Sequence, residues 1–270
     1  MSTDDRRTWS LPIRGLSAMI GDLQQFGIFS SDVHTLARRF RETNVYPARD
    51  FESRCSRQRP DIFVTYDWRE NFIDLQEAAW NGLQAIGDEL SGRHPSIDAI
   101  DLQELLYDDP TLWIDFVFIN QSARDIRAEL AVMPELIDSS KLHFALSSTA
   151  LTRAWCCYEL GLYNKRFLEP EPEGGPPPAP LLGSLLAPMP LGYRGWASAE
   201  TSVPEDKIFL EEQLNDLYPH GTLGVDSLMI QASLVGERIY ESANPVQTGL
   251  ALEEAANVGD GWLRRRGWIS

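Results

Sequence analysis

The chain has few of the residues that metal sites and disulfide frameworks require. It contains three cysteines, an odd number that is too small for such a framework. Cys156 and Cys157 are adjacent, which suits a reducing compartment. The four histidines are scattered, no Cys-x-x-Cys or His-x-x-x-His spacing occurs, and His143 lies in an apolar run typical of a core or strand residue. We therefore expect no metal site and a cytoplasmic protein.

Long apolar segments and the standard phosphate-binding loops are also missing. No run reaches the roughly 18 apolar residues that a membrane helix needs. The opening "MSTDDRRTWSLPIRG" has early acidic residues and no apolar block, unlike a secretory signal. Neither a P-loop pattern nor a Gly-x-Gly-x-x-Gly after a strand occurs. We expect no membrane partner.

Positive charge is scarce as well, with 24 basic against 40 acidic residues and a formal net charge of −16. Such a surface repels phosphate backbones, so we expect no nucleic-acid partner. The 270 residues, 43% of them hydrophobic, are enough to form a buried core.

The pattern along the chain divides it into four segments. Residues 1–58 contain two stretches of helical apolar spacing and are predicted to form an N-terminal helical extension. Residues 59–168 form the predicted core domain. Residues 169–192 are a predicted proline-rich linker, since eight of the 17 prolines lie within 169–190. Residues 193–270 are a predicted C-terminal helical region, which either completes the core or forms a small helical cap.

Within the core segment, short apolar runs alternate with amphipathic helical stretches. The predicted strands are "DIFVTY" (61–66), "LWIDFVFI" (112–119) and "KLHFALSS" (141–148). The first is followed by a long predicted helix over 72–90. This alternation predicts an α/β fold with a parallel sheet and helices on both faces. Ligands of such sheets bind outside the carboxyl ends of the strands.

The third strand leads into "TALTRAWCCYELGLYNKRF", a predicted helix. Trp155 and Glu159 stand four residues apart and therefore share a helix face. Glu159 is either a reactive carboxylate or a solvated helix residue, and Trp155 is either a packing residue or a substrate contact. The neighbouring cysteines are expected to be buried thiols, because no activating base is predictable nearby.

Three segments in this order, "DIFVTYDWREN", "LWIDF" and "KLHFALSSTALTRAWCCYEL", resemble the Toll/interleukin-1 receptor (TIR) domain over roughly residues 60–168. The last contains the family's W-x-x-x-E pattern at Trp155 and Glu159. The stretch "WIDFVFINQSARDIRAELAVMPELIDSS" looks like a segment of fungal heterokaryon-incompatibility (HET) domains, which are considered TIR-like in fold. The loop "NQSARD" departs from typical TIR domains. The resemblance implies a flavodoxin-like sheet.

Many TIR domains cleave the nicotinamide–ribose bond of NAD+, giving nicotinamide with ADP-ribose or a cyclised isomer. The resemblance implies that Glu159 is the catalytic residue and NAD+ the substrate. A fixed carboxylate in a water-poor cleft would stabilise the positive charge that develops on the ribose. Nicotinamide leaves as a neutral molecule, so this reaction needs neither a metal nor a strong general acid. The resemblance therefore implies no cofactor, with NAD+ as the substrate.

The other candidate substrate-binding residues lie at the predicted strand ends. Tyr66, Asp67 and Trp68 follow the first strand, where TIR enzymes contact the nucleotide. Alternatively, Asp67 caps a helix between two packing aromatic residues.

The second and third strands add three further candidates. Asp115 is expected inside the second strand, either hydrogen-bonded structurally or facing the pocket. Asn120 would reach the ligand or only form a turn. Ser147 would contact a ribose or phosphate, or only lead into the helix.

The family resemblance also suggests partners and a setting. Standalone TIR proteins of bacterial Thoeris antiviral defence make a nucleotide signal for a downstream effector, and TIR domains assemble into homo-oligomers. We expect an immune-signalling NADase of this kind, acting by signal production or NAD+ depletion. The alternative is a non-catalytic TIR-like or HET-like protein-interaction module.

Overall fold

The computed structural model describes residues 5–25, 27, 32–75, 79, 109–140, 142–145, 149–165, 195–218 and 220–226. Its helices are α1 (Ile13–Gln25), α2 (Val33–Thr43), α3 (Pro47–Asp50), α4 (Asp115–Phe118), α5 (Ile126–Leu130), α6 (Met133–Ser139), α7 (Ala154–Lys165) and α8 (Pro204–Leu217). Its strands are β1 (Leu11–Pro12), β2 (Ile62–Thr65), β3 (Thr111–Trp113) and β4 (Leu142–Ala145). The protein is therefore α/β, as the sequence predicts.

The four strands form one mixed, mostly parallel sheet in the order β1-β3-β2-β4. β2 pairs in parallel with β3 and with β4, while β1 pairs antiparallel with β3. The parallel part confirms the expected pairing of the three predicted strands. The antiparallel edge strand was not predicted.

The order of the parallel strands determines where a ligand-binding crevice is expected at the edge of the sheet. Across the sheet the parallel strands lie in the order β3-β2-β4, so the chain passes from β2 to β3 on one side and then from β3 to β4 on the other side of β2. Such a reversal creates a crevice outside the carboxyl ends of the two strands that flank it, here β2 and β4. These strands run in register, with Thr65 beside Ala145 at that end.

The first segment of the chain packs into the same core as the sheet. α1 and α2 are amphipathic helices whose buried residues include Leu16 and Phe40, both fully buried. α2 starts at Asp32, whose carboxylate accepts a bond from the Thr35 amide, and ends at Asn44 in the left-handed conformation. This segment therefore supplies an edge strand and two core helices to the sheet, and the predicted boundary at residue 58 stays a prediction.

The predicted strand over 112–119 is wrong beyond residue 113. β3 ends at Trp113, and residues 115–118 form the short helix α4. The carboxylate of Asp115 accepts a bond from the Phe116 amide at 2.6 Å, which stabilises the start of this turn. Phe116, Val117 and Phe118 are all buried, and a fully apolar run does not distinguish a strand from a buried helical turn.

The described residues after the proline-rich segment pack on α7. Leu210 and Leu214 of α8 lie in a second hydrophobic cluster with Leu160 and Trp196. The Tyr218 hydroxyl donates to the Gly161 carbonyl at 2.5 Å. α7 is thus covered by α8 on one side and contacts β2 on another. The predicted linker at 169–192 and residues 227–270 lie outside the described residues, as does most of the predicted helix over 72–90.

Candidate functional site

Glu159 points from α7 toward the sheet, at the end of β2. The hydroxyl of Thr65, the last residue of β2, donates a 2.5 Å hydrogen bond to Glu159 Oε2. Only 7% of the Glu159 surface is exposed. The sequence places Glu159 on a helix, and the structure adds that its carboxyl group lies at the predicted strand end rather than in solvent.

A buried histidine extends this contact into β4. His143 Nε2 lies 2.6 Å from Thr65 Oγ1, and both side chains are buried. Phe63 pairs with His143 across the two strands, so Thr65, two residues further along β2, lies on the same face of the sheet as His143. The edge of the Tyr163 ring packs on the His143 ring with centroids 5.0 Å apart. Glu159 and Tyr163, one turn apart on α7, thus both face this part of the sheet.

A second carboxylate, Asp115, is bound by two of the predicted aromatic residues. The Tyr66 hydroxyl donates to Asp115 Oδ1, and Trp68 Nε1 donates to Oδ2 at 2.8 Å. Tyr66 is buried and Asp115 is half-buried. Three of the predicted site residues therefore form one hydrogen-bonded cluster beyond the ends of β2 and β3.

The pKa values of both carboxyl groups are raised, and Asp115 contributes to the rise at Glu159. Burial raises the pKa of Glu159 well above its ordinary value, the negative charge of Asp115 raises it further, and the Thr65 hydroxyl opposes the rise. Burial likewise raises the pKa of Asp115, against the hydrogen bonds from Tyr66, Trp68 and the Phe116 amide. A buried carboxyl group beside another negative charge holds its proton more tightly than an isolated one, as Glu159 does here.

Asp67 has a different environment, although it is fully buried. It pairs with the Arg69 guanidinium, and its Oδ2 accepts a 2.8 Å bond from the Thr149 hydroxyl. Burial alone would raise the pKa of Asp67, but these partners together keep it below its ordinary value. Arg69 also donates to the Thr152 hydroxyl at 3.1 Å. Asp67 and Arg69 thus connect the end of β2 to the turn that precedes α7.

The described contacts of Trp155 and Asn120 do not involve the Glu159 carboxyl group. Trp155 is half-buried between α7 and α8, where its Nε1 donates to Asp206 at 3.4 Å. Asn120 forms a turn, with its side chain accepting from the Ser122 amide at 3.0 Å. Ser147 lies outside the described residues. Their assignment to substrate binding stays a prediction.

Sequence reasoning missed Thr65 and His143 as neighbours of Glu159. Thr65 belongs to the apolar run "DIFVTY", and His143 was interpreted only as a core or strand residue. A signal was present: both are polar residues in buried strands, and a buried polar side chain needs a partner. The strand register that joins them, however, is not encoded in any local pattern.

Cys156 and Cys157 are buried on α7 beside the site, and Cys55 is half-buried in the segment before β2. Cys156 donates to the Tyr66 carbonyl at 3.3 Å, and burial raises its pKa well above the ordinary value. Burial raises the pKa of Cys157 to about 12 and that of Cys55 to about 11.

We therefore expect all three thiols to be unreactive in the folded protein. A rise of the pKa from 9.0 to about 11 lowers the thiolate fraction at neutral pH about 100-fold even for Cys55. Labelling with a thiol reagent at pH 7 should be at least about 100-fold slower in the native protein than in denaturant. A thiol that reacts rapidly in the native state would contradict this description of the site.

Comparisons with models of known protein families, with characterised proteins and with solved structures found no match. Among the helices of the described residues, none is long and apolar enough to cross a membrane. Within the same residues, no group of three or more histidine, cysteine, aspartate and glutamate side chains is arranged to hold a metal ion.

Proposed function

We propose that this protein is a TIR-like NAD+ nucleosidase in which Glu159 stabilises the ribosyl cation formed when the nicotinamide–ribose bond breaks. The observation that carries the proposal is the position of Glu159: a buried carboxyl group at the carboxyl end of β2, beside the point where the strand order reverses. Crevices of this kind are the usual ligand sites of open α/β sheets. The strand order also supports a flavodoxin-like, and hence TIR-like, fold.

The proposed chemistry needs one ionised carboxylate. The bond between ribose C1′ and the nicotinamide nitrogen breaks, the electron pair stays on that nitrogen, and nicotinamide leaves as a neutral molecule. The positive charge moves to the ribose, where the Glu159 carboxylate stabilises it in a water-poor environment. Water then adds to C1′ and loses a proton to give ADP-ribose, or an atom of the same nucleotide adds to give a cyclised isomer.

The charge of the substrate is compatible with the electrostatics of the site. Glu159 has a raised pKa, so it binds its proton tightly in the free protein. A cationic nicotinamide riboside group nearby would favour the ionised form of both Glu159 and Asp115. The hydrogen bonds of Tyr66 and Trp68 keep Asp115 in place to contribute to this attraction. The charge of the cluster therefore suits a cationic group, such as the nicotinamide riboside part of NAD+.

In this proposal the product serves antiviral immune signalling. The enzyme either makes an ADP-ribose-derived signal for a downstream effector or depletes NAD+, and it acts as a homo-oligomer through TIR–TIR contacts. These roles follow from the family resemblance alone.

Turnover of NAD+ by concentrated protein tests the proposal. Nicotinamide, ADP-ribose and cyclised products are separated by chromatography, with and without a crowding agent that promotes assembly. The proposal expects one nicotinamide released for each NAD+ consumed. The other product distinguishes hydrolysis, which gives ADP-ribose, from cyclisation. Intact NAD+ after prolonged incubation of folded, assembled protein would overturn it.

One observation favours a second function, a non-catalytic interaction module. The Glu159 carboxyl group is buried and hydrogen-bonded to Thr65, as it would be if it only connected α7 to β2. In that case the protein would assemble without consuming NAD+, and neutralising Glu159 would change stability alone. Measuring self-association and turnover on the same sample separates the two functions.

A further inference from the structure

We propose that Thr65 and His143 form a proton relay to Glu159, in which the Thr65 hydroxyl passes a proton between the Glu159 carboxyl group and His143 Nε2. The inference concerns two residues that the proposed chemistry does not otherwise use. It deepens the proposed function and rests on it for its purpose, but the relay can be measured in the protein without NAD+.

The geometry is that of a continuous hydrogen-bonded chain. Thr65 Oγ1 lies 2.5 Å from Glu159 Oε2 and 2.6 Å from His143 Nε2. A hydroxyl donates one hydrogen and accepts another, so Thr65 can donate to either neighbour while accepting from the other. The three groups come from α7, β2 and β4, and less than a tenth of each residue's surface is exposed. Proton exchange along the chain therefore does not require bulk water.

The two end states differ by two proton movements that balance. In the first, Glu159 donates its carboxyl proton to Thr65 Oγ1, and the Thr65 hydroxyl donates to an unprotonated His143 Nε2. When the Glu159 proton moves to Thr65 and the Thr65 proton moves to His143, the result is a carboxylate, an intact hydroxyl and an imidazolium. No proton enters or leaves, and Glu159 becomes the anion that the proposed chemistry needs.

Other titratable groups surround this chain. Tyr66 and Asp115 face Glu159 from the ends of β2 and β3. Cys156 and Tyr158 are its neighbours on α7, and Tyr163 packs on the His143 ring.

Burial raises the pKa of Tyr66 and Cys156 well above their ordinary values and that of Tyr158 to about 12, so these three stay neutral near pH 7. The negative charge of Asp115 opposes a second anion, so an imidazolium at the far end of the chain would offset it.

Nuclear magnetic resonance of the free protein tests the relay. The nitrogen-15 signals of His143 and the carbon-13 carboxyl signal of Glu159 are followed against pH and assigned with His143→Gln and Glu159→Gln. We expect the two residues to titrate with a common midpoint in the wild type. In Thr65→Val, which keeps the shape but removes the hydroxyl, the common midpoint should be lost, and Thr65→Ser should restore it.

The results separate the relay from its alternatives. A His143 signal that does not move while Glu159 titrates would overturn the relay, as would coupling that persists in Thr65→Val. If Thr65→Val does not fold, Glu159→Gln decides: the relay requires that the His143 signal no longer moves in the pH range where Glu159 titrates in the wild type.

Turnover adds a separate readout. The relay predicts that Thr65→Val lowers kcat by about 100-fold, the lower range for an assisted proton transfer, with little change in KM. Coupling without any NAD+ turnover would contradict the proposed function and leave the relay intact. NAD+ turnover without coupled titration of Glu159 and His143 would support the proposed function and overturn the relay.

Discussion

Glu159→Gln should reduce the rate of nicotinamide release from NAD+ by at least about 100-fold, the size expected when one charge-stabilising group of a catalytic site is neutralised. Glutamine keeps the length of the side chain and can still accept the 2.5 Å bond from Thr65. It cannot, however, supply the negative charge that a ribosyl cation needs. The measurement is the initial rate with wild type and variant at equal concentration.

Glu212→Gln is the matched control, because Glu212 is an exposed glutamate on α8 and the chemical change is identical. It should leave the rate unchanged. An equal loss of rate in Glu159→Gln and Glu212→Gln would indicate a general effect of removing a negative charge. A rate of Glu159→Gln equal to that of the wild type would mean that the reactive group lies elsewhere.

The same variant has an expected effect on folding. The pKa of Glu159 is raised in the folded state, so its stabilising contribution is complete below its ordinary pKa and is lost as pH rises through the raised one. Glutamine does not titrate. The stability of Glu159→Gln relative to wild type should therefore increase with pH over this interval, by about 1.4 kcal/mol for each tenfold difference in proton affinity between folded and unfolded protein. Denaturant unfolding at several pH values measures it.

Removal of residues 1–58 should prevent the remaining chain from folding. β1 covers the edge of β3, with Leu11 paired to Leu112. Large side chains of the removed segment, among them Trp9, Leu16 and Phe40, are buried in the same cluster as β2 and β3. Each such side chain contributes about 1.5–3 kcal/mol on burial, so a few of them approach the typical total stability of about 5–15 kcal/mol. Circular dichroism and solubility of residues 59–270 measure the outcome.

Two substitutions in α1 test the same claim, that the first segment stabilises the core, without removing it. Leu16→Ala should cost about 2–5 kcal/mol, because Leu16 is fully buried. Gln25→Ala, at an exposed position of the same helix, should change stability by less than about 0.5 kcal/mol. A truncated chain that folds cooperatively would show that the sheet is stable without its first segment.

Local patterns in the sequence were sufficient to predict the α/β class and the parallel pairing of three strands. The periodicity of α1 and α2 is a property of each segment alone, and the structure confirms helices there and at the predicted helix α7. The run over 112–119 failed because burial on all sides removes periodicity, so the helical turn at Asp115–Phe118 resembled a strand. β1 is only two residues long, too short for any pattern to reveal it.

The candidate site shows a similar division. Tyr66 and Trp68 were selected from their positions at the end of the first strand, and Asp115 as an acid inside an apolar run. Their mutual hydrogen bonds, however, depend on how β2 and β3 are paired. The connection of Glu159 to His143 requires a strand register and a helix orientation together. Such long-range geometry is set by the packing of the whole core, which is why sequence reasoning overlooked Thr65.

The pH dependence of kcat/KM for NAD+ tests the central claim, that ionised Glu159 drives the reaction under the influence of Asp115. Activity should fall at low pH with a midpoint above the ordinary pKa of a glutamate, because protonation neutralises Glu159. Asp115→Asn should move the midpoint to lower pH by removing a nearby negative charge. Trp68→Phe removes the 2.8 Å hydrogen bond to Asp115 but leaves its carboxyl group in place, so it should move the midpoint less than Asp115→Asn does. A rate that does not change with pH over this range, or a midpoint that Asp115→Asn does not move, would contradict the account.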